Sequence, residues 1–366
     1  MTIRYPDYNS GLVNLACSIL KFYGAAYGHP TLPLMDRLLE KKYRNVVVML
    51  FDGLGSAALK YHLPEDSFLR RNHMTDFSSV FPPTTTAAIT SLESGYTPLE
   101  HGWLGWSLYF SEVDKIINAL PNTDKDTRRP AADFHVAQRY IPYLSIFEKI
   151  AEAGQAAAYS VSMYGSNRIR RHDELYGEIT RLCSTPETKY IYSYWDNPDT
   201  TMHLKGCRSD ETAAIIADID RRVADLCAGL HDTLVIVTAD HGHIDLYYKF
   251  LSDYPKLEEM LIRPISIESR AAGFHVKPEY RDEFPAAFRA ALGDDFLLFS
   301  REEAVEAGLF GDGEPHPKFD ELAGDFIAVA TGGYGLVQNR HSMQFLSNHA
   351  GLTDDEMTIP FIVGKS

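Results

Sequence analysis

Two short runs constrain the fold of this chain more than any other feature: VVVMLFDG at 46–53 and TLVIVTADHGH at 233–243. Both are rich in β-branched residues and carry apolar side chains continuously, not at alternate positions. A strand that hides both faces belongs in a parallel sheet covered by helices. Each run ends on an acid, Asp52 and Asp240. A third, more aromatic run, KYIYSYWDNPD at 189–199, ends at Asp199, and a fourth, MTIPFIV, lies at 357–363.

Helical patterns separate these runs. The segment 211–230 places Ile215, Ile219, Val223 and Leu226 on one stripe, and SIFEKIAEAG ends at Gly154, a C-cap, before the strand-like AAAYSV. Near the N-terminus, Leu12, Leu15, Ile19 and Phe22 share one face of an amphipathic helix that Asn14, Ser18 and Lys21 interrupt, which argues against a signal peptide. Strand–helix alternation predicts an α/β fold with a mostly parallel central sheet and helices on both faces. Such sheets hold ligands at the carboxyl ends of their strands, where Asp52, Asp199 and Asp240 stand.

Residues 255–330 break the alternation. They are charged, punctuated by Gly and Pro, and mixed in pattern, and they read as an inserted α+β cap on a core formed by 1–254 and 331–366. A chain of 366 residues with 45% hydrophobic content can bury a core of this size. Its net charge of -15 disfavours polymeric nucleic acid as a partner but leaves room for a small phosphate ester in a local metal pocket. Four cysteines without CxxC spacing, and no run of eighteen apolar residues, lead to the expectation of a cytoplasmic protein with no membrane partner; oligomeric state is not readable.

Metal-ligand residue types occur in a definite order. Asp52 ends the first strand, Asp199 and His203 stand four apart, Asp240 and His241 are adjacent, and His349 lies near the C-terminus. Carboxylate oxygen together with imidazole nitrogen suits zinc or another divalent transition metal. An i, i+4 pair such as Asp199–His203 presents both groups on one helical face. Each piece has a plainer alternative: Asp199 as a helix cap, Asp52-Gly53 as a turn. The joint occurrence in order favours a site.

The segments FDG (51–53), FPPTTT (81–86), SG (94–95), HG (101–102), PDTTMH (198–203), ADHG (239–242) and NHAG (348–351) together resemble the alkaline phosphatase superfamily. Within it they are similar to the type I phosphodiesterase/nucleotide pyrophosphatase family. The resemblance implies two divalent ions, zinc with manganese as the alternative, one held by Asp199, His203 and His349 and the other by Asp52, Asp240, His241 and a nucleophile oxygen. The resemblance, through the family's threonine turn and its spacing to a later Gly matched by Gly95, implies that the nucleophile is Thr85, while Thr84 and Thr86 read as turn and N-cap residues. It further implies two-step hydrolysis of a phosphodiester or pyrophosphate through a phosphothreonine. A phosphomonoesterase, a phosphonate hydrolase and a non-catalytic binding protein on the same fold are the alternatives. A sulfatase is disfavoured, since no Cys-x-Pro-x-Arg or Ser-x-Pro-x-Arg segment follows Asp52.

The chain departs from the family at two positions. Thr86 stands where nucleotide-cleaving members carry a base-stacking ring, and Trp106 where they carry an Asn that donates to phosphate. Asn167, Arg168, Arg170, Arg171, Lys205 and Arg208 are candidate replacement donors, with solvated surface charge as the plainer reading. Trp103, Trp106 and Tyr109 have helical spacing that suits core packing or a pocket wall. His243 and Asp245 are expected to orient the ligands, and Cys207 to be a buried bystander.

Overall fold

The computed structural model describes residues 2–365. Two seven-stranded sheets organise them. The first runs β2 (His73–Ser78), β18 (Thr358–Lys365), β9 (Thr233–Thr238), β1 (Asn45–Phe51), β8 (Lys189–Trp195), β6 (Ala157–Ser162), β7 (Asn167–Arg168). As the apolar runs predict, β1 is buried along its whole length and pairs in parallel with β8 and β9. The fourth run, β18, pairs antiparallel with both β9 and β2. The chain reaches β18 from His349, at the carboxyl ends of the parallel strands, through only the short helix Asp354–Met357. With no length for a crossover it must re-enter the sheet in the opposite sense.

The helix Leu12–Phe22 forms as expected and buries Leu12, Leu15 and Ile19, with Phe22 partly covered. Each fully buried aliphatic side chain contributes about 2 kcal/mol of gross hydrophobic stabilisation. This helix packs on the helix Thr85–Ser94, so the N-terminal segment backs the threonine turn. In the helix Asp210–Gly229 the stripe is Ile216, Ile219, Val223 and Leu226, and Ile215 lies at its edge, only partly buried.

The second sheet is antiparallel: β14 (Phe296–Ser300), β15 (Phe326–Ala330), β13 (Ala271–Phe274), β12 (Ser266–Ile267), β3 (Ser107–Phe110), β4 (Lys115–Asn118), β5 (Thr123–Asp124). Residues 255–330 therefore do not form a cap alone. They supply four strands to a sheet shared with 107–124, joined where Ile267 pairs with Ser107. Neither set covers its own edge, and pairing the two removes an exposed edge from each. The same sheet overturns the helical reading of Trp103, Trp106 and Tyr109: residues 103–106 are irregular and Tyr109 lies in β3. Trp103 is buried and donates its indole N–H to Ile141 O at 2.8 Å, whereas Trp106 is exposed.

Two small ribbons connect the sheets to the site: β10 (Ile244–Asp245) with β17 (Ser347–Asn348), antiparallel, and β11 (Tyr247–Phe250) with β16 (Tyr334–Val337), parallel. A fully buried ion pair locks this region. Arg270 donates from Nε and Nη2 to Glu356 at 2.6 and 2.7 Å, and from Nη1 to the carbonyls of Gly332 and Tyr334. Glu356 also accepts from Gly351 N and Thr353 Oγ1, while its own carbonyl accepts from Gly242 N. The pair thus ties the second sheet to the loop after His349 and to the Asp-His-Gly turn. Removing one partner of such a pair leaves an uncompensated buried charge, which costs about 3–5 kcal/mol. Arg270→Met is expected to lower the unfolding free energy by that amount, and Arg270→Met/Glu356→Leu to recover part of it, in equilibrium urea unfolding followed by circular dichroism.

Candidate metal centre

Strand register brings the first two acids together. Leu50 pairs with Thr238 in the parallel β1–β9 ladder, so Asp52 and Asp240, two residues further on, emerge side by side. On the other flank of β1, Asp52 N donates to Trp195 O at 2.9 Å, and Asp199 N to Asp52 O at 2.9 Å. Asp52-Gly53 is indeed a turn, and the turn is what admits Asp199. Gly53 has φ +73°, and a Cβ there would lie 3.0 Å from both Cα and Cβ of Asp199. Gly242 is required for a different reason: a Cβ at that position would lie 1.9 Å from Asp355 O.

Asp199 is the first residue of the helix Asp199–Lys205, yet its side chain caps nothing. It faces the site, where one donor atom each from Asp199, His203, His243 and His349 lie within 4.8 Å of one another. A second group of the same closeness joins Asp52, Asp199 and His241. Thr85 opens the helix Thr85–Ser94 and is buried beside that second group. Its Oγ1 lies 3.4 Å from each Asp52 oxygen and 3.3 Å from His241 Nε2. Asp240 Oδ2 is 3.4 Å from His241 Nε2. All seven residues singled out in the sequence therefore converge at one place.

The hydrogen bonds fix which atoms face inward. A carbonyl can only accept, so Nδ1 carries the proton where it meets Ser347 O (His203, 2.8 Å), Pro83 O (His349, 3.0 Å) and Gly242 O (His241, 3.1 Å). Each tether turns Nε2 toward the carboxylates, so that a ring giving up its second proton presents a lone pair there, the arrangement that prepares an imidazole for a metal. Asp240 Oδ1 accepts from the backbone N–H groups of Gly53 and His241, but its Oδ2 is buried without a partner. An unpartnered buried carboxylate oxygen facing such lone pairs fits a bound cation.

The charges agree. Burial, then the charge of Asp52, pushes the Asp240 carboxyl well above its usual range. Burial opposes ionisation of Asp199 too, but the imidazoles of His203 and His243 hold it well below. Burial lowers His241, yet the Asp240 and Asp52 carboxylates outweigh it and raise the group to about 10. Burial, then the charge of His241, takes His349 well below its ordinary value. Burial lowers His203 as well, but the Asp199 carboxylate outweighs it and raises the group, so protonation-favouring and protonation-rejecting groups are interleaved in the site.

His243 takes the orienting place expected of it, with Nε2 2.5 Å from Asp199 Oδ1. Asp245 does not reach the site and instead accepts from Cys207 N at 2.7 Å, holding the chain after the ligand helix. Cys207 is partly buried. The candidate phosphate donors are engaged elsewhere. Asn167 bonds Glu178, Arg171 pairs with Asp173, Lys205 with Glu211, Arg208 lies over Tyr61, and Arg168 and Arg170 are exposed. Thr84 occupies the N-cap by backbone, but its hydroxyl donates to Glu268 at 2.6 Å; Thr86 Oγ1 is buried without a partner. Sequence reasoning missed Tyr194, whose phenol donates to Asp52 Oδ2, and Glu268. Tyr194 had a signal, since it is the last of three tyrosines at alternate positions in a buried strand that flanks Asp52.

A family model described as type I phosphodiesterase / nucleotide pyrophosphatase matches residues 46–352, which include every residue of both groups. The chain belongs to this family. Members are metal-dependent hydrolases, and the fold is that of the alkaline phosphatase superfamily. Ectonucleotide pyrophosphatase/phosphodiesterase family member 5 from Homo sapiens is 26% identical over 162 residues, a match covering 43% of this chain and about a third (32%) of that relative. Murine ectonucleotide pyrophosphatase/phosphodiesterase 5 superposes with a TM-score of 0.68 at 20% identity over 88% of each chain. Phosphonoacetate hydrolase from Sinorhizobium meliloti 1021, in complex with phosphonoformate, gives 0.66 at 18% identity over 88% of this chain and 90% of that one.

The crowding of Asp52 and Asp240 generates a test with opposite signs. Without metal, neutralising one acid relieves repulsion; with metal, it removes a ligand. Asp240→Asn is expected to raise the melting temperature of chelator-treated protein by several degrees and to lower that of zinc-loaded protein. Differential scanning calorimetry with metal analysis reads both.

Proposed function

We propose that this chain is a two-metal phosphodiesterase or pyrophosphatase that works through a phosphorylated Thr85. The observation that carries the reading is the setting of Thr85 Oγ1. It is buried, between 3.3 and 3.4 Å from both Asp52 oxygens and His241 Nε2, at the first turn of a helix. Asp52, Asp240, His241 and Thr85 would hold one ion, and Asp199, His203 and His349 the other. Zinc suits the mixed carboxylate and imidazole donors, and manganese is the alternative. Such ions lower the pKa of a bound hydroxyl and offset charge on the oxygens of an in-line displacement.

The chain's own groups do the rest. Asp52 accepts a hydrogen bond from the Thr85 hydroxyl and fixes the direction of attack. The first N–H groups of the helix Thr85–Ser94 have no partner within it and point at the incoming phosphoryl group. Thr85 Oγ1 forms the new P–O bond as the bond to the leaving group breaks, and the proton lost from the hydroxyl ends on the departing alcohol or phosphate. Water then cleaves the phosphothreonine, returning the hydroxyl and releasing the second product. Support also comes from a murine relative, of the same fold as this chain, that is described as inactive when a threonine is replaced by alanine and was captured with AMP. Here the substrate is a small phosphate ester, and the absence of a stacking ring at Thr86 argues for a group other than a nucleotide base.

Thr85→Ala is expected to lower kcat for bis(p-nitrophenyl) phosphate by about 10³-fold or more while both ions stay bound. Acid quench and intact mass should detect a phosphoryl adduct on wild type and none on the variant. Full turnover by the metal-loaded variant would overturn the reading.

A further inference from the structure

We propose that Glu268 is a specificity-determining residue that disfavours phosphomonoesters at this site; the inference rests on the phosphodiesterase reading above. Glu268 follows β12, and the residue before it, Ile267, has φ +70°. A β-branched residue in the left-handed region is a true outlier, retained only when its surroundings enforce it. Ile267 is 1% exposed, pairs with Ser107 on one side and Ala272 on the other, and belongs to the core beneath the second sheet. The reversal at Ile267 sends Glu268 out of the sheet and onto the threonine turn.

There its Oε1 accepts two hydrogen bonds, from Thr84 Oγ1 at 2.6 Å and Trp106 N at 2.7 Å. Its Oε2 makes none among the described residues. Glu268 also forms no ion pair there: Lys125 is close enough to feel its charge, but the ammonium donates to Ile265 O at 2.7 Å instead. His203 and His241, one from each group of candidate ligands, both act electrostatically on Glu268, so the carboxyl overlooks the whole site.

This location decides what Glu268 can select. It is bonded to the hydroxyl of Thr84, the neighbour of Thr85, and to the backbone of Trp106. A phosphoryl group on Thr85 would therefore lie next to a residue held by this carboxyl. A phosphodiester brings one negative charge to phosphorus, and a phosphomonoester at neutral pH brings nearly two. Coulomb repulsion at a separation of a few ångströms, in the effective dielectric of a partly buried site, is large enough to weigh against the extra charge by on the order of 10²-fold. Bound cations would favour the more highly charged monoester, and the Glu268 carboxylate opposes that preference.

The test compares metal-loaded wild type, Glu268→Gln and Glu268→Asp on bis(p-nitrophenyl) phosphate and p-nitrophenyl phosphate, with metal content measured for each. Glu268→Gln keeps the shape and an acceptor for Thr84 and Trp106 but removes the charge. It should raise kcat/KM for both esters, the dianionic monoester more than the monoanionic diester, so that the monoester-to-diester ratio rises by about 10- to 100-fold. Glu268→Asp, which keeps the charge, should retain the wild-type ratio. An unchanged ratio in Glu268→Gln, or an equal fall on both substrates, would overturn the inference and leave Glu268 as a tether for the turn. Should Glu268→Gln not fold, Glu268→Asn against Glu268→Asp gives the same comparison. A monoester preference in wild type counts against the diesterase reading, whereas the shift between variants judges Glu268 alone.

Discussion

Two carboxylates buried side by side are the constraint around which the molecule is arranged. Asp52 and Asp240 leave adjacent parallel strands at the same level, and among the described residues no basic side chain forms an ion pair with either apart from His241. Two like charges in a low-dielectric pocket are tolerated only with a proton, a cation or a strong partner between them. Tyr194 answers one oxygen of Asp52, and backbone N–H groups answer one oxygen of Asp240. The remaining demand falls on His241 and on the metal that the tethered imidazoles are set to receive. The Thr85 hydroxyl lies among these groups, 3.3–3.4 Å from His241 Nε2 and both Asp52 oxygens, and this setting supports the proposed role as nucleophile.

The second sheet makes that arrangement rigid and selective. Its anchor is the buried Arg270–Glu356 pair, which reaches the loop after His349 and the turn after His241. Glu356 keeps its charge because Arg270 outweighs the cost of burial. From the same sheet Glu268 reaches back to Thr84. The sheet therefore supports ligands from behind and shapes the entrance from in front.

The degree to which sequence reveals each feature follows its range along the chain. Asp52 and Asp240 were legible because a continuous apolar run announces a buried strand, and the residue that ends it must lie at the sheet's edge. Asp199 and His203 were legible because four residues make one helical turn. The direction of β18 was not, since an apolar run carries no sign. The spacing of Trp103, Trp106 and Tyr109 misled because a three-residue interval also arises across a turn followed by a strand, where it puts Trp106 in solvent; only the pairing of β3 with β4 separates the two. For Ile215 against Ile216, adjacent apolar residues allow two stripes, and the neighbour to be packed against chooses one.

By itself, then, the sequence determined the central sheet, the strand ends that carry acids, and the order of the metal-ligand residue types and threonines that the fold gathers at one place. These are local consequences of hydrophobic period, helical pitch and donor chemistry. The tertiary structure alone decided that 107–124 and 255–330 share one sheet, that Asp240 keeps an unpartnered oxygen, that the histidines present Nε2, and that Glu268 meets Thr84 across 184 residues. Each of these depends on which distant backbone group lies within about 3 Å, and hydrogen-bond geometry at that range has no counterpart in sequence spacing.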